Sequence, residues 1–240
     1  MTTSRFTRDL GEGLRLLVVA GIPVGVVVAG IGGRLAMLLL RLTSPDAVRG
    51  VQSDDDFTIG QVTLAGTYNL LLLGAAIGII GAAVYQWVRP WLLGPWWFRR
   101  LTVALGSGVV VGSLLVHADG IDFVVLEPTW LAIGLFIALP AVFGLAIGSA
   151  VDRIGRPESW STRGWKRWVL PFMLVALFPP VLFVLVLATA VLAVWLMIRP
   201  LEAVDWLRAS TGNGVVVRAL WLGIAVLGLV ALRNDITAII

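Results

Sequence analysis

Six stretches of this chain are long and apolar enough to cross a bilayer, and that leaves few folds open to it. Spanning the hydrocarbon takes roughly 20 mostly apolar residues. The runs Leu14 to Leu40, Val62 to Val88, Leu101 to Val116, Trp130 to Val151, Val169 to Ile198 and Val215 to Leu232 qualify. Backbone groups in hydrocarbon find no water, so each run must close its own hydrogen bonds as a helix. The expected fold is all-α, a polytopic bundle of six transmembrane helices forming one domain over residues 1–240. Composition agrees: 59% of the residues are hydrophobic and only 13% charged, outside the soluble range. The first run is longer than a signal-peptide core and no A-x-A cleavage site follows it, so it is read as a retained helix.

Charge sets the expected topology. The net charge of +4 would suggest nucleic acid in a soluble protein, but here the basic residues sit between apolar runs, which argues against a nucleic-acid partner. With six crossings and a cytoplasmic start, twelve of the eighteen Arg and Lys residues fall on the inner side. Nine of the fourteen acids fall outside. Both termini are therefore expected in the cytoplasm, with Trp87, Trp91, Trp96, Trp97, Trp160, Trp165 and Trp168 at the inner interface and Trp130, Trp195, Trp206 and Trp221 at the outer. The absence of cysteine excludes disulfides, thiolate catalysis and iron–sulfur clusters, and a single histidine excludes bis-histidine haem within one chain. Seventeen arginines against one lysine, with much Ala, Gly and Val, suggest a GC-rich bacterial genome and hence a bacterial cytoplasmic membrane.

Small residues separate the helices. G-x-x-x-G occurs at Gly21/Gly25, Gly74/Gly78, Gly108/Gly112 and Gly144/Gly148, a spacing that lets backbones approach closely in lipid. Helices one to four are expected to form the tight core. Helix five has no glycine and is expected as one long helix bent at Phe178-Pro179-Pro180, facing lipid, a homo-oligomer or another membrane protein. The mixed Trp/Arg segments 89–100 and 156–167 suit anchoring to anionic lipid or docking of a cytoplasmic partner. The loops DDDFTIGQVTLAG and DGIDFVVLEPTWLAIG, followed by helices ending in VYQWVRP and VDRIGRP, suggest a tandem helical-hairpin repeat that would bring Asp56 and Asp122 to equivalent positions.

The outer acids offer the chemistry. His117, Asp119, Asp122 and Glu127, joined by Asp56 with Asp54 and Asp55, present imidazole and carboxylate oxygen, a donor set suited to a divalent cation such as Ca²⁺, Mg²⁺ or Mn²⁺. Their spacing fits no EF-hand. The same HADGIDF segment reads equally as a solvated Asp-Gly turn. A third reading makes the acids structural: Arg34 and Arg41, seven residues apart on one helix face, and Arg218 would clamp them over the helix ends.

Catalysis and active transport find little support. No G-x-S-x-G, H-E-x-x-H or phosphate-binding glycine loop is present, and no Asp, Glu or Lys lies near a helix midpoint. Thr63, Thr67, Asn69, Ser107, Ser113 and Thr189 read as interhelical glue more readily than as a polar path. The motifs GGRLAM, SPD, SDDDF and HADGIDF between six helices resemble those of multi-pass membrane proteins of GC-rich Gram-positive bacteria. That resemblance implies lineage and brings no activity, ligand or site residue. The expected function is a non-enzymatic binding or sensing protein with an acidic outer-loop site for a cation. The alternatives are an accessory subunit of a membrane complex and, more weakly, a channel or passive transporter.

Overall fold

A computed structural model describes residues 3–45, 50, 63–120, 123, 125–198 and 211–240. Among them every regular element is helical. The first helix, α1, is continuous from Thr3–Leu16 through a π-helical turn at Leu17–Gly21, Ile22–Val24, a second π-helical stretch at Gly25–Gly32, and Gly33–Thr43. It is followed by α2 (Leu64–Val88, extended by a 3₁₀ turn at Arg89–Trp91), α3 (Trp96–Leu115), α4 (Thr129–Ile154), α5 (Lys166–Leu177), α6 (Val181–Ile198) and α7 (Thr211–Ile239). All but α5 are long and apolar enough to cross a membrane.

The glycines act where the spacing places them. A Cβ at Gly25 would lie 2.0 Å from the Gly74 carbonyl oxygen, and one at Gly78 would lie 2.0 Å from that of Gly21. The α1 and α2 backbones are therefore in direct contact, and any side chain at these positions would force them apart. In the second hairpin a Cβ at Gly108 would meet Ala141 at 3.0 Å, and one at Gly144 would meet the Ser107 hydroxyl. That hydroxyl lies 2.9 Å from the Pro140 carbonyl, close enough to donate to it and tie α3 to α4. The two hairpins then join through α4, whose Phe143 and Ile147 abut Gly81 of α2. The close helix pairs expected from glycine spacing are present, but the buried core is shared by α1, α2, α4 and α6, whereas α3 packs on α4 and buries only Gly108 and Gly112.

Helix boundaries differ from the apolar runs where amphipathic residues extend them. α1 reaches back to Thr3 because Phe6, Leu10 and Leu14 lie on one face and pack against the core. α3 begins at Trp96, which brings the shortest run to 20 residues.

The fifth apolar run departs from expectation. It forms two helices joined by a reversal at Phe178-Pro179-Pro180. Phe178 stacks on Tyr68 near the start of α2, with ring centroids 6.1 Å apart, while Trp195 meets Trp87 near the end of α2 at 5.9 Å. So α6 runs in the same direction as α2. α5 starts from the opposite end, beside the loop whose Ser161 is bonded to Arg15. Two adjacent prolines remove two helical donors and push the residue before them out of the α region, and Phe178 has φ −131° and ψ 67°. Hydropathy misses this turn because all three of its residues are apolar. α6 buries Val181, Leu185, Ala188, Leu192 and Leu196 against α1 and α2, and its other face is exposed, as helix five was expected to be.

The reversal also redirects the rest of the chain. Trp195, assigned by sequence to the outer end, lies at the end with Trp87 and Arg89. Gly228 of α7 abuts Val109 and Ser113 of α3, and Leu232 packs with Leu40 and Val116. α7 therefore runs parallel to α3, and its Ile239 end lies beside the Thr43 end of α1. The expectation that both ends of the chain share one face fails for this reason. We use inner end for the Thr3 end of the bundle and outer end for the Thr43 end.

Candidate functional site

At the outer end the segment after α3 folds across the end of α1. Val116, Phe123 and Leu126 bury against Leu40, Ala132, Ile133 and Leu232. Ser44 fastens it: its hydroxyl accepts from the Glu127 N–H at 2.9 Å and donates to the Leu40 carbonyl at 2.7 Å. The Gly120 N–H donates to the His117 carbonyl at 3.1 Å, so HADG is a tight turn. His117 and Asp119 are exposed on that turn, and the Glu127 side chain is exposed beyond it. Asp56 and Asp122, with Asp54 and Asp55, lie outside the described residues. Among the described residues no three His, Asp or Glu side chains come together as a metal-binding group.

The arginine clamp involves acids, Asp54, Asp55, Asp56 and Asp122, that lie outside the described residues, so only the arginines' other contacts are on view. Arg34 is half-buried and donates to the Thr67 hydroxyl at 3.4 Å, a long bond to α2 and not to an acid. Arg41 reaches the Ser44 carbonyl at 3.5 Å. The side chain of Arg218 lies outside the described residues. Thr67 and Ser107 do serve as interhelical glue, whereas the Thr189 hydroxyl bonds within its own helix and Asn69 is exposed.

The inner end holds polar structure that motif reading passes over. Arg15 is 5% exposed; its guanidinium pairs with Glu12 and donates to the Ser161 hydroxyl and, at 3.1 Å, to the Ile154 carbonyl. One side chain thus ties α1 to the end of α4 and to the loop after it. Across the bundle the Tyr85 hydroxyl donates to Asp152 at 2.9 Å, and Arg89 Nε lies 3.0 Å from the other oxygen of that carboxylate, a charge contact that links α2 to α4. Arg100 stacks over Trp96 at 5.0 Å. The residues of the second cluster sit in the two Arg-Pro segments of the sequence: VYQWVRP carries Tyr85 and Arg89, and VDRIGRP carries Asp152.

Between α2 and α3 lies a cleft of ≈ 1930 Å³. Its floor is α4, through Leu139, Phe143 and Ile147. Its walls are Leu73, Ile77, Ile80 and Val84 of α2 with Leu101 and Leu105 of α3, and α7 and the outer third of α1 close the rest. The six wall residues named are exposed, so the cleft opens sideways, toward where lipid would be. Apart from tryptophans, its polar side chains are Arg34, Arg41 and Ser44 toward the outer end, Ser107 at mid-depth, and Tyr85 and Thr102 toward the inner end. Asn69 is not part of it, so the polar path that a channel would need does not run through this space. Sequence reasoning missed the cleft because it arises from how helix pairs diverge, which no single helix encodes.

No protein-family model, curated protein or solved structure matches this chain. The likeness to multi-pass proteins of Gram-positive bacteria rests on its short motifs alone.

Proposed function

We propose that the protein is a non-catalytic membrane protein that binds an apolar ligand drawn from the bilayer in the cleft between α2 and α3. The observation that carries this is a laterally open space, about twice the upper end of ordinary small-molecule pockets, lined almost wholly by aliphatic side chains. Tightly packed hairpins on either side keep it from collapsing. The test is native mass spectrometry of protein purified in mild detergent. The parent should retain an apolar ligand, and a variant with Ile80→Trp and Leu105→Trp should lose it without loss of thermal stability. A parent that carries nothing, even after exposure to membrane lipid, would sink the reading.

Orientation belongs to the same proposal. Of the fifteen Arg and Lys residues at described positions, all but Arg34, Arg41 and Arg233 fall toward the inner end, twelve against three. That is a stronger bias than the twelve to six given by six plain crossings, and the positive-inside rule then places the inner end in the cytoplasm. The membrane is that of a bacterial cell on the arginine-rich composition.

A second reading keeps the outer turn as a cation site, because His117 and Asp119 are both exposed on one tight turn. Ca²⁺, Mg²⁺ or Mn²⁺ should then raise the unfolding midpoint, through a gain of about 2.7 kcal/mol in stability at 100 times the Kd, and the shift should vanish in Asp119→Asn. A midpoint that no cation moves removes this reading.

A further inference from the structure

We infer that the occupant of the cleft is an anionic phospholipid, with its phosphate held at the outer mouth by Arg34 and its acyl chains along the aliphatic walls. This rests on the reading of the cleft as a ligand site.

Thr67, the partner of Arg34, lies ten residues from Ile77 at the middle of α2, about 15 Å along the helix. Half the hydrocarbon thickness is also about 15 Å. Arg34 thus stands at the edge of the hydrocarbon, where a long side chain reaches the phosphates just above, and it lines the same cleft as the aliphatic walls.

At that depth the charge of Arg34 is largely uncompensated by the described residues. Among the described residues Arg34 has no carboxylate within ion-pair distance, and its one bond, to Thr67, is long. A guanidinium at this depth carries five donors that need acceptors. The start of α2 adds to the positive field at the same level, since Thr63 caps it, its first turn holds no acid, and its N-terminal dipole end is positive. Arg41, one face-repeat further out, lines the same mouth. No cation among the described residues lines the inner end of the cleft, where Tyr85 is committed to Asp152.

Ligand chemistry follows from this depth and charge. The mouth wants a phosphate, which guanidinium can bind through two parallel bonds. The walls want hydrocarbon chains. A zwitterionic lipid would bring a cationic group beside Arg34 and Arg41, so a headgroup without one, such as phosphatidylglycerol, is favoured.

The experiment measures lipid retained by the full chain after reconstitution in equal mixtures of phosphatidylglycerol and phosphatidylcholine, followed by detergent extraction and native mass spectrometry. The parent should retain phosphatidylglycerol in preference by about tenfold or more, the equivalent of one charge-assisted contact of 1.4 kcal/mol. Arg34→Gln should abolish the preference, and Arg34→Lys, which keeps the charge, should restore part of it. An unchanged preference in a folded Arg34→Gln protein overturns the inference. So does displacement of bound lipid by millimolar inorganic phosphate, which would make this a free-anion site. Lipid bound in the cleft with no headgroup preference overturns this inference and leaves the cleft reading standing. No retained lipid of any class overturns both.

Discussion

The bundle uses arginine in opposite ways at its two ends. At the inner end Arg15 is buried and bonded to an acid, a hydroxyl and a carbonyl, and Arg89 meets Asp152. Those arginines hold helices together. At the outer end Arg34 has, among the described residues, a single long contact and faces a cleft, while the loop above it is fastened by an uncharged residue, Ser44. An arginine whose donors are filled within the chain is structural; one left at the lipid boundary with few partners has donors to spare for a ligand.

Labelling from one side of the membrane would show which end of the bundle is which. The chain has no cysteine, so single cysteines can be introduced without background. Asn234→Cys should react fully with an impermeant maleimide added to intact cells, and Glu158→Cys should not react until the membrane is opened. The reverse pattern would invert the orientation, and labelling of both from the same side would refute the reversal at Pro179-Pro180.

Stability should separate the two sets of arginines. Arg15→Ala removes the partner of Glu12 and of the Ile154 carbonyl and one of the two partners of Ser161, and should cost about 2 to 4 kcal/mol, somewhat below the fully buried-pair range because Glu12 is partly exposed. Arg15→Lys should recover little, since one ammonium cannot reproduce the fork of bonds. Asp152→Asn keeps an oxygen for Tyr85 and loses only the contact with a half-exposed Arg89, so about 1 kcal/mol is expected from denaturant titration in detergent. Arg34→Gln should change stability by less than about 0.5 kcal/mol in lipid-free detergent. A large loss there would make Arg34 structural and erase the contrast. His117→Ala, an exposed turn residue, should be smallest of all and fall within measurement error.

Much of the frame was legible in the residues. Long apolar runs dictate helices, and glycine spacing named Gly21, Gly25, Gly74 and Gly78, whose contacts are those of the structure. The loop HADGIDF was legible as a turn, and Phe178-Pro179-Pro180 as a disturbance. What the residues did not reveal was the size of that disturbance. Two prolines kink or reverse a helix according to what waits to pack with the arms, and here Trp87 and Tyr68 of α2 decide it. The inner network was illegible for a related reason: Ser161 is 146 positions from Arg15, and nothing local marks the pair. The candidate site was legible only at Arg34 and Arg41, whose common face was visible but whose neighbour, an aliphatic cleft, was not.

The backbone contact at Gly25 and Gly74 has a consequence for motion. Helices that touch through side chains can slide as rotamers change, but here a Cβ would already overlap a carbonyl, so α1 and α2 share one register and move as a single post. α7 is the opposite: among its described side chains only Leu232 is buried. If the cleft widens to admit a ligand, α7 is therefore the wall that moves, pivoting near its outer anchor at Leu232, while the post stays still.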